Sequence, residues 1–418
     1  MRKKCDIPQG YKESPLGIIP EDWEVKRLHE IASYYSGGTP KSGVAEYYDG
    51  TIPFIRSGEI SKDKTDLFLS EKGLTNSSAR LVSKGDLLYA LYGANSGQCS
   101  LSRIDGAINQ AILCIKPEID SYFLMSVLQY RKNHYYNSFL QGGQGNLSAE
   151  IVSNYRIAIP PFEIQQSIIV ILQLWDEAIE KQEELIDKLT LRKRGLMQQL
   201  LTGKKRIPGF TGEWKQVKLG EVCTFFRNVT LSRGQLNDLD GQIQNVHYGD
   251  VLIKYSSILD CVDVSLPYIN KDVVINSNAD LVQNGDIIMS DTAEDETVGK
   301  ACEVINVGDR KILAGLHTML IRPKSGIFAP SFMGYYINSE VYQKQLLPLI
   351  QGIKVCSLGK QAVQNTIISV PSRKEQEKIV EILTLCDSEI RSAVKKKAEM
   401  QSQKRGLMQQ LLTGKKRL

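Results

Sequence analysis

Apolar residues recur along two stretches of the chain at the spacing of a helix seam. In residues 163–201, Ile164, Ile168, Ile171, Trp175, Ala178, Leu185 and Leu189 fall three, four or multiples near seven apart, which places them on one side of a helix. Pro160 and Pro161 stop that helix from extending backwards, because proline disfavours the helical conformation in the residue before it. Gly203 follows the last periodic residue, where glycine forms a left-handed cap most easily. A second helix, over 374–412, has Pro371 before it and Gly414 after it. The rest of the chain, roughly 20–160 and 211–370, carries short β-like runs at Ile52–Ile55, 86–91, 111–115, 243–247, 286–289 and 316–321, broken by Gly, Asn, Ser and Pro. Helical patterns at 121–131 and 330–345 lie among them. The pattern predicts an α+β protein: α/β globular domains over 1–160 and 207–371, alternating with long helices within 161–206 and 372–418.

The order domain–helix–domain–helix is an internal repeat. Residues 193–206 read KRGLMQQLLTGKKR, and residues 404–417 read the same fourteen letters. At the same offset Pro160, Gln165, Ile168, Leu172 and Asp176 face Pro371, Gln376, Ile379, Leu383 and Asp387. Further back, Trp23-x4-Leu28-x-Glu30-Ile31 matches Trp214-x4-Leu219-x-Glu221-Val222, and IPFIRSGEI at 52–60 lines up with IQNVHYGDV at 243–251. LVSKGDLL at 81–88 matches LVQNGDII at 281–288, and ILCIKP at 112–117 matches TMLIRP at 318–323. The offset grows along the chain while the order is kept, as one duplicated unit with loop insertions in its second copy would give.

Charge adds an orientation. The first helix is acidic early (Glu163, Asp176, Glu177, Glu180, Glu183, Glu184) and basic late (Arg192, Lys193, Arg194, Lys204, Lys205). The second runs from Glu375, Glu377, Glu381, Asp387 and Glu389 to Lys395, Lys396, Lys397, Lys404 and Arg405. Both suit the helix dipole. An antiparallel pair sets acidic halves against basic ones, whereas a parallel pair sets like against like. The helices are therefore expected to pack as an antiparallel coiled coil about a pseudo-two-fold axis.

Composition narrows the function by exclusion. The chain has 418 residues, a net charge of +5 and eight cysteines, which permits nucleic-acid binding without requiring it. No cysteine pair has metal-ligand spacing, and scattered thiols fit a reducing cytoplasm. No apolar run reaches membrane-spanning length, and the basic start MRKKCDIPQG lacks the apolar core of a signal peptide. There is no phosphate loop, no dinucleotide fingerprint and no amino-methyltransferase motif; Pro160-Pro161-Phe162 follows Ile159 and reads as a helix start. The acids in PEDWEVK at 20–26 are too close together for a metal-dependent nuclease. His29, His134, His247 and His317 form no triad or ligand pattern. The expectation is a protein without catalytic activity of its own.

The helix-end string GLMQQLLTG after a proline-started segment, the order domain–helix–domain–helix, Trp-x4-Leu-x-Glu, and Gly-Gly-Thr-Pro at 37–40 together resemble the specificity subunits of type I restriction–modification systems. The likeness spans nearly the whole chain, although the second copy lacks Gly-Gly-Thr-Pro and has Arg227-Asn228-Val229-Thr230 nearby. The resemblance implies two target-recognition domains, one for each half of a bipartite and asymmetric DNA site, held apart by a helical spacer. It further implies two methyltransferase subunits as partners, carrying S-adenosylmethionine and modifying adenine. Restriction subunits using ATP and Mg2+ would join them, with no cofactor or metal on this chain. Two other readings stay open. One is the specificity subunit of another restriction class, with a fused methyltransferase–nuclease partner; the other is a coiled-coil adaptor that binds no DNA.

Arg, Asn and Gln read base edges best, while Lys, Ser and Thr mostly hold phosphates. In the first domain the candidates are Thr39, Lys41, Arg56, Tyr92, Asn95, Gln98, Asn109, Gln110, Gln141, Gln144 and Asn146. In the second they are Arg227, Asn228, Arg233, Gln235, His247, Tyr248, Thr292, Lys300, His317, Gln351 and Lys354. The repeated helix ends, Met197, Gln198, Gln199 and Leu200 with Met408, Gln409, Gln410 and Leu411, are candidate docking sites for one repeated partner. The alternative is that their apolar members close the helix pair, but identical glutamines in both copies favour docking.

Overall fold

The computed structural model describes residues 7–139, 147–275, 279–352 and 355–418. The chain forms two compact units: residues up to Glu183 together with Lys395–Leu418, and Glu184–Val394.

The first unit is built on an antiparallel sheet in the order Ala32–Ser36, Ile112–Pro117, Leu87–Ala90, Cys99–Leu101. A second sheet runs Phe68–Leu69, Ile52–Ile55, Gly106–Ile108, Arg80–Val82, with Gly106–Ile108 parallel to Ile52–Ile55. Strand Leu87–Ala90 is apolar throughout because both its faces are covered. Leu87 and Tyr89 enter the core shared with helix Ser121–Phe139, while Leu88 and Ala90 enter one with Ile55, Ile108 and Ile112. Period-2 alternation sends neighbours to opposite faces, so a doubly covered strand loses its polar positions.

The second unit repeats this plan. Its main sheet runs Cys223–Phe226, Thr318–Pro323, Ile287–Ser290, Ala301–Ile305, with Ile258–Asp260 added at the edge. Its second sheet again has one parallel pairing, Gln244–Val246 with Ile312–Ala314. Where one helix is expected at 330–345, two form, Phe332–Ile337 and Glu340–Leu346. They break at Asn338, whose side-chain amide donates to the carbonyls of Gly334 and Ala301. The helix predicted at 121–131 instead continues to Phe139.

Two of the sequence matches meet in one contact in each unit. Gly85 and Gly285 take φ of +93° and +84°, a region that favours glycine. The aspartate after each then accepts from a backbone N–H three residues back, Ser83 to Asp86 and Gln283 to Asp286, both at 2.8 Å. The same aspartates hold the cation of the IKP and IRP strings, Lys116 at 2.5 Å and Arg322 at 2.7 Å.

The long helices span Phe162–Leu200 and Arg373–Leu411. Within the first unit Asp176 pairs with Lys404, and Glu183 with Lys397. Within the second unit Arg192 pairs with Glu389, and Lys193 with Asp387. In both places the partner's number falls as the helix advances, so the packing is antiparallel and joins acidic early turns to basic late ones. Gly203 and Gly414 end the helices at φ of +68° and +69°. Among the described residues no helix is long and apolar enough to cross a membrane, and no cluster of metal-ligating side chains occurs.

Candidate nucleic-acid interface

In the first unit three loops converge beside the end of strand Gly106–Ile108. Gly37 and Gly38 make this possible: a Cβ on either would lie 1.8 Å from the Ile108 carbonyl oxygen or 1.9 Å from Ser78 Oγ. The loop they start therefore lies against the strand and brings Thr39 to Gln110, hydroxyl to Oε1, at 2.5 Å. The Tyr92 hydroxyl donates to the Gln110 carbonyl at 2.5 Å, and Asn109 Oδ1 accepts from the Ala111 N–H at 3.1 Å. Thr39, Tyr92, Asn109 and Gln110 thus form one polar cluster, with Gln98 and Lys41 exposed on the loops around it. Asn95 faces the 56–59 turn, its amide nitrogen 3.5 Å from where a Cβ of Gly58 would be. Gln141, Gln144 and Asn146 lie outside the described residues.

Arg56 is already engaged. Its guanidinium makes a two-bond contact with Glu59, at 3.0 and 2.9 Å, and reaches Asp66 at 2.6 Å. Glu59 is 4% exposed. Burial alone would raise its pKa, but Arg56 and the N–H groups of Asp66 and Arg56 outweigh burial and hold it at about 2. Arg56→Ala is therefore expected to act first on folding, destabilising the first unit by about 1–3 kcal/mol through the stranded carboxylate. Because the folded pKa is depressed, the stabilisation is present above the usual carboxylate range and lost as pH falls toward 2. Urea titrations should show the difference between wild type and variant closing at low pH. A difference that stays constant down to pH 2.5 would remove Glu59 as its source.

In the second unit the same position of the repeat is Asp250, 4% exposed, held by Arg233 at 2.5 Å and Lys254 at 3.0 Å. Around it Arg233, His247, Tyr248, Thr292 and His317 come together. The Tyr248 ring lies 4.6 Å from His247 and 5.4 Å from His317, edge-on to the latter. His247 is 7% exposed and its Nδ1 accepts from the Gly249 N–H at 3.2 Å. Burial lowers its pKa, more than Asp250 restores it. His317 takes a left-handed φ of +53° and sets Nδ1 3.2 Å from the Thr292 hydroxyl. Histidine is among the few residues besides glycine that take this conformation with any frequency.

The other candidates divide by what their side chains already do. Asn228 donates to the carbonyls of Gly315 and Thr318, at 3.1 and 2.7 Å, and Lys300 to that of Leu252 at 2.6 Å. Gln235 accepts from the Ser232 N–H at 3.0 Å and so closes a short turn. Arg227 and Gln351 are exposed. Lys354 lies outside the described residues. Sequence reading passed over Glu59 and Asp250, although the aligned strings IPFIRSGEI and IQNVHYGDV put an acid at both places.

The repeated helix ends are mostly interior. Leu200 is 5%, Met408 6% and Leu411 1% exposed, each in the core of its own unit, and Met197 packs against the same core as Leu200. Burial accounts for the recurrence of these apolar residues. Gln198, Gln199, Gln409 and Gln410 are exposed and are what remains for a partner.

The first cluster offers amides and hydroxyls and the second hydroxyls and imidazoles, groups able to donate and accept at base edges. Residues 20–191 and 211–401 match the family described as the type I restriction modification DNA specificity domain. The chain is 25% identical over 436 residues to the type I restriction enzyme MjaVIII specificity subunit of Methanocaldococcus jannaschii, covering 99% of this chain and 98% of that one. The putative MjaX specificity subunit of the same organism is 22% identical over 436 residues, covering 98% and 97%. Among solved structures, one described as showing complex assembly and conformational transition of the type I R-M system shares the fold. Its TM-score is 0.57 at 17% identity, with 95% of this chain and 99% of that one covered.

Proposed function

The chain belongs to the type I restriction–modification DNA specificity family, and from that premise we propose that it reads a bipartite, asymmetric DNA site in the cytoplasm, one half-site per globular part. The observation that carries this reading is that the two units share a framework while their clustered loops differ in chemistry. Thr39, Tyr92, Asn109 and Gln110 in one stand against Arg233, His247, Tyr248, Thr292 and His317 in the other. Like frameworks with unlike loops suit two readers of unlike half-sites.

The chain itself performs no chemistry in this reading. Two methyltransferase subunits dock on the helices, where exposed glutamine pairs recur at Gln198-Gln199 and Gln409-Gln410, and they carry S-adenosylmethionine. Restriction subunits using ATP and Mg2+ complete the assembly. Double substitution of either glutamine pair should weaken methyltransferase association; association at the wild-type level would remove that surface.

Mapping methylated adenines in host DNA tests the proposal directly. A gapped site with two different halves is expected, and methylation at a continuous site would refute it. Gln110→Ala should lose about 1–3 kcal/mol of binding at bases of one half-site. An equal loss on unrelated DNA would make Gln110 a phosphate contact. Binding should also fall steeply with salt.

A further inference from the structure

One three-residue contact occurs in each unit at equivalent places. In the second unit the Tyr335 hydroxyl donates to Asp387 Oδ2 at 2.7 Å, and the Lys193 ammonium donates to Asp387 Oδ1 at 2.5 Å. The ammonium also lies 5.2 Å from the centre of the Tyr335 ring. In the first unit Tyr122 donates to Asp176 Oδ2, and Lys404 to Asp176 Oδ1. Aspartate and lysine come from the two long helices, at matching places of the repeat. The tyrosine comes from the globular part, on Ser121–Phe139 or Phe332–Ile337.

Each tyrosine is rooted in its domain. Tyr335 is 1% exposed among Phe332, Met333 and Tyr336, and Tyr122 packs against the core that contains Phe123 and Leu124. Each aspartate therefore spends one oxygen on the opposite helix and the other on the globular part. Phenylalanine would satisfy the apolar packing alone. The helices carrying the tyrosines have diverged, SYFLMSV against FMGYYI, yet the hydroxyl reaches the corresponding carboxylate oxygen in both. Apolar helix contacts tolerate roughly 15–20° of variation in angle, whereas hydrogen bonds to a charged group are short and directional. Neighbouring base pairs are only ~3.4 Å apart along the duplex, so a reading loop on a rocking domain would slip by a base pair.

We propose that this tyrosine–aspartate–lysine knot is the positioning device that sets each globular part on its helices and so holds the half-sites to one separation. It rests on the reading that the two globular parts take separate half-sites. Tyr122→Phe and Tyr335→Phe, singly and together, test it in the full chain assembled with its methyltransferase. Methylated adenines are mapped in a random-sequence DNA library, and thermal unfolding is followed in parallel.

Wild type is expected to methylate half-sites at one separation. Each variant should keep both half-site sequences while methylation at separations one base pair shorter or longer rises about tenfold relative to the native one. Should a variant fail to assemble, Lys193→Arg and Lys404→Arg carry the same test, since they keep the charge and change the geometry. A single unchanged separation with both tyrosines replaced overturns the knot's role and leaves the half-site reading standing. Wild-type methylation without a gapped pair overturns the half-site reading, and the knot's role with it.

Discussion

Leu412→Ala destabilises the unit that contains Trp23 by about 2–5 kcal/mol, with the loss concentrated there. Leu412 is 1% exposed and sits with Met408 and Leu411 in the core built around Trp23, Leu28, Ile168 and Leu172. Removing its side chain loses the transfer energy and leaves a cavity that strands and helices on every side cannot collapse to fill. Polar contacts tie the same segment in: the Tyr11 hydroxyl donates to the Gly414 carbonyl at 3.0 Å, and Arg417 pairs with Asp22 at 3.1 Å. The equivalent substitution, Leu201→Ala, should act on the other unit. Leu201 is fully buried there, and Trp214 packs 3.6 Å from the Cβ position of Gly203. Hydrogen exchange resolved by peptide separates the two results. Equal loss of protection in both units from Leu412→Ala would defeat the expectation.

Glu303 should contribute roughly 3 kcal/mol of stability to the second unit at about pH 4.5 that is lost by about pH 8, and Glu303→Gln should remove that contribution. Glu303 is 3% exposed on strand Ala301–Ile305. Its carboxylate accepts from the N–H groups of Ser331 at 2.5 Å and Gly334 at 2.9 Å. Burial raises its pKa to about 7 against the lowering effect of those bonds. The folded value lies above the unfolded one, so the folded unit holds the proton more tightly. The resulting stabilisation is complete below about 4.5 and lost as pH rises through 7. Gln keeps the shape without the charge, at the loss of one accepted N–H bond. Urea unfolding at pH 5 and pH 8 is the measurement, and equal pH dependence in both proteins would rule Glu303 out. The first unit has Leu101 at this position of the sheet, opposite Leu87 as Glu303 is opposite Ile287, and should lack the effect.

The long helices were legible almost to the residue, expected at 163–201 and 374–412 and found at Phe162–Leu200 and Arg373–Leu411. Proline and glycine act locally, and a seam of thirty-odd residues is a long signal. The site residues were less legible, because a side chain's availability depends on partners elsewhere in the chain. Asn228 and Lys300 look like readers of bases or phosphates, yet carbonyls of Gly315, Thr318 and Leu252 occupy their donors. Arg56 is occupied by Glu59, only three residues away, and by Asp66. Hydropathy is blind to that pairing, since it scores both charges as surface.

Sequence alone determined the duplication, the helix limits and, through opposed charge along the two helices, the antiparallel pairing. These follow from periodicity, backbone restriction and the sign of charge, which a linear pattern carries. Tertiary structure decided that the fourteen repeated residues divide, with leucines and Met408 turned into the cores and glutamines turned out. It decided that the GD turns and the IKP and IRP strings meet in one ion pair, and that Asp176 and Asp387 each join a tyrosine to a lysine from the opposite helix. Those contacts join residues 30 to 228 positions apart. Only the folded chain brings such pairs within the ~3 Å at which a hydrogen bond forms.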